Sequence, residues 1–563
     1  MPAANAAALL RGNLANPAVA GGVAIRFGDR VWTHGEYVAE SCRWANLFLA
    51  GSPHPEAPAR HIAVLSDNTP DYLFAFGGAA LSGSVVVGLN HTRRGEHLRR
   101  DIEHTHCSLL VTEPRHIPLL EPIAADLPPV LVSHRYDDGD GEDLDDALAG
   151  VGAVDPGLEP DASVPWAFIF TSGTSSAPKA VICSQRRLLV TGSRMAIILD
   201  VGPDDVGYVC MPLFHSNAVM VGWAPSIVRG SSVALARRFS ASAWLDDVRR
   251  YGATYFNYTG QPLSYIVATP ERPDDADNGL RVAFGNEGSP DVVERFSRRF
   301  GVDVIDAFGA TEGGIAVNRD PPVKEGSLGR AGETVKVVGD DGRERPRARF
   351  DAAGRLVNAD ECVGEIVNTA GSGPFEGYYN NEDATGAALR GGWYWSGDLG
   401  YVDGDGYLYF AGRTAEWIRV DGENFPAGPI EAALARHPDV VVAAVYGVPD
   451  EQAGDQVMGA VVLADGASFD GEVFARWLDA QGDIGPKWRP RYVRVADELP
   501  TTGTNKIVKR ALARQKLRRD LVGGDQLFVR GRGEGSYRPF TADDEAALYK
   551  ALVAAGRERF WDL

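Results

Sequence analysis

Residues 171–179 read Thr171-Ser172-Gly173-Thr174-Ser175-Ser176-Ala177-Pro178-Lys179, between an apolar run at 166–170 and a helix-like run that begins at Gln185. Strand, loop of small and hydroxyl residues, then helix is a βα unit whose loop can close backbone N–H groups and Oγ atoms around phosphate oxygens, with Lys179 adding a point charge. The Walker pattern G-x-x-x-x-G-K-S/T is absent, and only one glycine is present. Taken alone, the stretch is also compatible with an ordinary Ser/Thr-rich turn. Outward from it, the short apolar runs Ile62-Ala63-Val64-Leu65, Leu109-Leu110-Val111, Phe168-Ile169-Phe170 and Val233-Ala234-Leu235 alternate with helix-like segments. That alternation predicts a large α/β body built mainly on parallel sheets.

The chain has 563 residues, more than one hydrophobic core serves, so several cores are expected. Its 56 Lys and Arg against 76 Asp and Glu leave a net charge of −20, which repels polyanions and argues against nucleic acid or an anionic membrane as partner. Any nucleotide site must therefore be built locally. The cysteines Cys42, Cys107, Cys183, Cys210 and Cys362 are odd in number and never in a C-x-x-C pair, which disfavours a zinc site or disulfide framework. The N-terminus lacks a basic n-region followed by an apolar core, so a cytoplasmic protein is expected. The uncharged stretch 72–89 contains Gly77, Gly78, Gly83 and Gly88 and ends in β-branched residues, which fits a buried helix turning into a strand better than a membrane span. Two acidic segments, 136–161 and 271–279, read as solvated loops. Near Gly412 the pattern changes to a helix from about Pro429, β-rich runs at 440–448 and 457–463, and a helix at 471–480. A body of residues 1–412 and a small mobile α+β domain of 413–563 are expected, without internal repeats; the oligomeric state is left open.

Six motifs in order resemble the adenylate-forming superfamily of acyl-CoA synthetases, luciferases and peptide-synthetase adenylation domains, over nearly the whole chain. Residues 171–179 resemble its phosphate loop, Pro212-Leu213-Phe214-His215 its substrate gate, and Phe308-Gly309-Ala310-Thr311-Glu312 its aromatic-Gly-x-Thr-Glu motif. Trp395-Ser396-Gly397-Asp398 is similar to the ribose-binding motif, Gly412-Arg413 to the inter-domain hinge, and Pro500-Thr501-Thr502-Gly503-Thr504-Asn505-Lys506 to the catalytic-lysine loop. The stretches 269–273 and 285–287, together with 309–312, are most similar to the fatty-acid-transport-protein and very-long-chain acyl-CoA synthetase branch.

The resemblance implies ATP, Mg²⁺ and CoA as cofactors and a carboxylic acid, a fatty acid above all, as substrate. Oxide is a very poor leaving group, so the acid is first joined to AMP with loss of pyrophosphate; catalysis is then positioning and charge neutralisation. Glu312, with Thr174, is expected to hold the cation. Thr171, Ser172, Gly173, Thr174, Ser175 and Lys179 would bind phosphate. Asp398 and Arg413 would bind ribose, and Phe308, Gly309 and Asp306 adenine, with Gly285, Asn286 and Glu287 beside the adenine and acyl sites. Lys506 would reach the α-phosphate and the attacking carboxylate. Thr311 belongs to the catalytic set, and Gly422 to the pantetheine path. His215 is a gate or carboxylate contact, or a structural histidine. Ser175-Ser176 replaces the usual Thr-Gly, Ala180 a glycine, and Ala415 the Asp or Lys common at the hinge, while Glu287 has no sequence-based account. The apolar hinge keeps a second function open: CoA-independent activation of a small oxyacid such as nitrite, passed to an amine.

Overall fold

The strand Pro165–Phe170 lies between Val85–Gly88 and Ala180–Ser184 in a six-stranded sheet that continues through His61–Leu65 and Leu109–Thr112 to Val130–Val132. Every neighbour in it is parallel except the final Pro165–Phe170 and Ala180–Ser184 pair. The protein is described here by a computed structural model covering residues 3–563 without 137–142, 172–177, 287, 289, 316, 318–323, 325–326, 340, 352–355, 414–416, 421–422, 451–454, 482–483, 486, 503–505, 532, 555–560 and 562–563. The 72–89 stretch forms the helix Pro70–Ser82, which Gly83 ends at φ +70, and the strand Val85–Gly88. The helix is buried on every side, and a Cβ on Gly78 would lie 2.7 Å from that of Trp44 on the helix His34–Ala50, so glycine is what allows the two helices to approach. Among the described residues no helix is long and apolar enough to cross a membrane.

A second sheet of seven strands runs Asp303–Asp306, Val282–Asn286, Tyr255–Thr259, Val206–Val209, Ser232–Leu235, Val23–Phe27, Arg30–Thr33, parallel up to the last hairpin. The third sheet departs from the parallel pattern. Gly329–Arg330, Tyr407–Arg413, Trp393–Val402, Gly364–Asn368 and Val335–Val338 pair antiparallel throughout. The reason is connection length: parallel neighbours need a crossover of about a dozen residues or more, whereas Asp403-Gly404-Asp405-Gly406 alone joins its two central strands. The 136–161 segment also differs from a pure loop. It holds the helix Asp143–Ala149, whose Leu144 and Leu148 lie one turn apart and are buried in the main core.

Beyond Arg413, the ribbon Trp417–Val420 with Glu423–Pro426 leads into a five-stranded sheet of Val440–Pro449, Asp455–Leu463, Tyr492–Val495, Gln526–Val529 and Arg538–Pro539. The helices Gly428–Leu434 and Gly471–Asp479 complete an α+β unit with hydrophobic clusters of its own.

The two large sheets are joined by apolar and ionic contacts. Trp166 is fully buried, 4.7 Å from the Phe76 ring and 6.0 Å from that of Trp223, and its Nε1–H donates to Phe76 O at 2.9 Å. Asp67, just past one sheet, takes Arg115 at 2.6 Å and Arg238 at 2.9 Å, and Glu113 takes Arg237 at 2.7 Å; both Arg237 and Arg238 follow a strand of the other sheet. Burial would raise the Asp67 carboxyl, but His116 and Arg238 hold it well below the ordinary carboxylate range. Asp67, Glu113 and His116 are close enough to hold a cation, yet the arginines already neutralise both carboxylates, so this is an ion-pair network. Trp166→Ala is expected to cost about 3–5 kcal/mol in the transition of the N-terminal body, read by chemical denaturation with tryptophan and far-UV signals; a loss below 1 kcal/mol would show that the stack is not what joins the sheets.

Candidate active site

Residues 285–286, Asp306 and the 308–312 motif lie at or just past the ends of parallel strands of the seven-stranded sheet, the edge at which open α/β sheets bind ligands. Past Asp303–Asp306 the chain enters 308–312. The Phe308 ring lies 6.1 Å from that of Phe410 on Tyr407–Arg413. Asp306 is buried; its Oδ2 accepts from Tyr258 OH and from Gly288 N–H, both at 2.8 Å. That oxygen holds neighbouring chain in place. Gly285 likewise serves packing, since a Cβ there would lie 2.4 Å from Tyr258 O. Asn286 differs: its Oδ1 is buried with no partner among the described residues, an acceptor free for a donor such as an adenine amino group.

Glu312 is held by a residue that the sequence reading missed. Tyr378 OH donates to Glu312 Oε1 at 2.7 Å, and Lys179 Nζ lies 5.5 Å from the centroid of the same tyrosine ring. One side chain thus carries the Lys179 ammonium on its π-face and the Glu312 carboxylate on its hydroxyl. Tyr378 is placed by strand addition to Ala180–Ser184, the strand that leaves the 171–179 loop: Ile182 N–H donates to Gly377 O at 3.0 Å and Tyr379 N–H to Ala180 O at 2.8 Å. Gly377, at φ +99, makes the turn. Thr171 N–H donates to Lys179 O at 3.1 Å and closes the loop's neck. Ser172, Gly173, Thr174 and Ser175 lie outside the described residues, as do Glu287, Gly422 and Ala415. Among the described residues Glu312 has no ion pair, which suits a carboxylate kept for a hard cation together with phosphate oxygens.

Thr311 is fixed from two sides. The buried Arg187 guanidinium donates to Thr311 O, and Thr311 Oγ1 lies 3.0 Å from Ser216 Oγ, which links this motif to the gate. The gate is clamped by Asn68, whose Oδ1 accepts from Leu213 N–H at 2.9 Å and whose Nδ2 donates to Met211 O at 2.9 Å and Ala236 O at 3.1 Å. Directly after His215 the chain forms a π-helical turn, Asn217–Trp223, before the α-helix Ala224–Arg229. Such wide turns are rare and cluster at functional sites.

The His215 ring is half-buried, and its Nε2 has no hydrogen-bond partner among the described residues. Burial pushes its imidazole down to about 3, and the Lys506 ammonium adds to this, followed by His91 and Arg93. Lys506 is therefore within electrostatic reach of His215. Its backbone is pinned by Thr502, with Thr502 N–H donating to Lys506 O at 2.7 Å and Lys506 N–H to Thr502 Oγ1 at 3.1 Å. Asp398 is buried and is the Cα partner of Arg413 across Trp393–Val402 and Tyr407–Arg413, so the two residues assigned to ribose stand opposite one another. Asp398 N–H donates to Ser396 Oγ at 3.0 Å.

Residues 15–379 match the AMP-binding enzyme family and residues 429–506 the AMP-binding enzyme C-terminal domain. The chain belongs to the AMP-binding enzyme family. It is 46% identical over 543 residues to a steroid-22-oyl-CoA synthetase of Rhodococcus jostii, covering 95% of this chain and 96% of that one. It is 48% identical over 459 residues to a medium/long-chain-fatty-acid–CoA ligase of Mycobacterium tuberculosis, covering 81% and 87%. Its fold is similar to that of an anthranilate CoA ligase in complex with anthranoyl-AMP, at TM-score 0.78 and 21% identity over 91% of this chain and 98% of that one.

Tyr378→Phe should retain the ring beneath Lys179 and lose the bond to Glu312. Turnover is expected to fall about tenfold, the scale of one hydrogen bond to a charged group, with a raised Mg²⁺ requirement in a titration of initial rates. An unchanged Mg²⁺ dependence would separate Tyr378 from the metal site. The His215 shift yields a second expectation. With its native value below the ordinary 6.5, His215 binds a proton more readily in the unfolded chain, so its contribution to stability is lost as pH falls from about 6.5 towards 3. Removing the ammonium in Lys506→Ala should raise the His215 value, followed by imidazole NMR; a lowered or unmoved value would contradict their proximity.

Proposed function

We propose that this chain is an AMP-forming ligase that joins a carboxylic acid to AMP and then to CoA. The carrying observation is the Lys179–Tyr378–Glu312 arrangement, with the Lys506 ammonium within electrostatic reach of His215. Lys179 and the 171–179 loop would cradle the β- and γ-phosphates. Glu312, with Thr174, would hold Mg²⁺, which supplies charge neutralisation on the phosphate oxygens. Asp398 and Arg413 would take the ribose hydroxyls, while Phe308 offers a ring face and Asn286 an acceptor to adenine. His215 is neutral between about pH 5 and 8 and can donate to the acid's carboxylate without competing with it for a proton.

A carboxylate oxygen attacks the α-phosphorus as the bond to pyrophosphate breaks, and Lys506 spans the two anions as they meet. In the second step the CoA sulfur attacks the acyl carbon, its proton leaves to solvent or base, and AMP departs with the electrons of the carbon–oxygen bond. Lys506 has no part in that step, so we assign residues 413–563 as the unit that withdraws it and residues 1–412 as the body that holds both substrates. Ala415 and Gly422 belong to the moving side of that assignment. The strong likeness to steroid- and fatty-acid-activating synthetases supports a large hydrophobic acid.

Lys506→Ala should abolish pyrophosphate release while retaining CoA thioester formation from supplied acyl-AMP, both followed by mass spectrometry. Equal loss of both half-reactions would remove Lys506 from the adenylation step. In wild type, a product formed from an amine and independent of CoA would replace the thioester reading with the amine-acceptor one.

A further inference from the structure

One face of the seven-stranded sheet carries a polar pair that the reaction described above does not use. Parallel register sets Asn257 beside Phe284 and Phe284 beside Ile305, and alternate residues share a face, so these three form one row. Below it Tyr255 and Val282 are covered by Met195, Ala196, Leu199 and Val201, whereas Phe284, Ile305 and Val221 are only half-buried. The π-helical turn Asn217–Trp223 packs over this face and contributes Asn217 and Val221. The row therefore has an apolar floor and one polar edge.

The orientation of that edge is fixed by hydrogen bonding. Asn217 Nδ2 donates to the carbonyl of Tyr258 at 3.1 Å, and a carbonyl can only accept. Asn217 Oδ1 is then the acceptor for Asn257 Nδ2, at 2.7 Å. What is left over is Asn257 Oδ1, on a residue 1% exposed, with no partner among the described residues. At Gly222 a Cβ would lie 2.7 Å from this oxygen, so any larger residue in the turn would crowd it. Leaving a buried acceptor unpaired is unfavourable, and a ligand hydroxyl donating to it would relieve that cost. Asn217 stands two residues after His215, and Ser216 between them touches Thr311. Two residues of chain span at most about 7 Å, so Asn217 lies close to His215, the candidate contact for the carboxylate.

We infer that the hydrophobic body of the acid lies along the Phe284–Ile305 row, that Asn217 and Asn257 form a polar subsite at its edge, and that the preferred acid carries a hydroxyl a few carbons from the carboxylate, donating to Asn257 Oδ1. The inference rests on the adenylation reading of the same site and adds to it a substrate feature.

The test measures pyrophosphate release by the full chain with ATP and Mg²⁺, comparing hexadecanoic acid with hexadecanoic acids bearing one hydroxyl at carbons 3 to 7. Wild type should favour at least one hydroxy acid by about tenfold in kcat/KM. Asn257→Leu should bring that ratio close to one, a substrate-specific loss that a merely structural asparagine would not produce, and should lower the thermal midpoint, since Asn217 Oδ1 loses its donor. Asn217→Leu, which leaves Asn257 unoriented, should reduce the same ratio and serves if the first variant does not fold. A wild-type preference under twofold for every isomer, or one that survives both substitutions, overturns the subsite while leaving adenylation standing. Absence of pyrophosphate from wild type with every acid overturns the adenylation reading and the subsite with it.

Discussion

Two anions have to meet in a chain of net charge −20, and the neutralising groups must therefore be gathered at one place. Tyr378 does much of that gathering. Its ring carries the Lys179 ammonium and its hydroxyl holds Glu312, so the cation proposed for phosphate and the carboxylate proposed for a metal ion are set by one side chain. Because the tyrosine is added to the strand leaving the phosphate loop, a shift of that loop would move both charges together. Local charge, held at short range and partly out of water, can outweigh a global field that salt screens over about 10 Å.

The fold supplies the geometry. Two largely parallel sheets point strand ends towards the site, and the Asp67 network with the Trp166 stack keeps them in register. Asn68 belongs to the same junction and clamps the gate, so sheet packing and the position of His215 are one problem. The antiparallel third sheet brings Asp398 and Arg413 into register as cross-strand Cα partners although distinct motifs carry them.

Much of this was legible in residue order. The strands and helices around 171–179 and in the C-terminal unit follow from hydrophobic period, and the six motifs identify the superfamily. Asp143–Ala149 was hidden because its acidic composition masks the spacing of Leu144 and Leu148. The antiparallel sheet was hidden because short apolar runs look alike in either pairing, although Asp403-Gly404-Asp405-Gly406 is a hairpin signal. Tyr378 was illegible for a deeper reason: its partners at 179 and 312 are distant in sequence, and nothing local distinguishes it from Tyr379. The Asn217–Asn257 pair left a fainter trace, polar residues inside apolar runs, whose meaning depends on the register that aligns them with Phe284.

A site of this kind makes an acyl-adenylate reversibly from ATP and an acid. The most direct measurement of that step is exchange of labelled pyrophosphate into ATP without CoA, with and without a hydrophobic carboxylic acid. Exchange that requires both the acid and Mg²⁺ is the predicted result. Acid-independent exchange, or none with any acid while the protein is folded and binds ATP, would contradict the account.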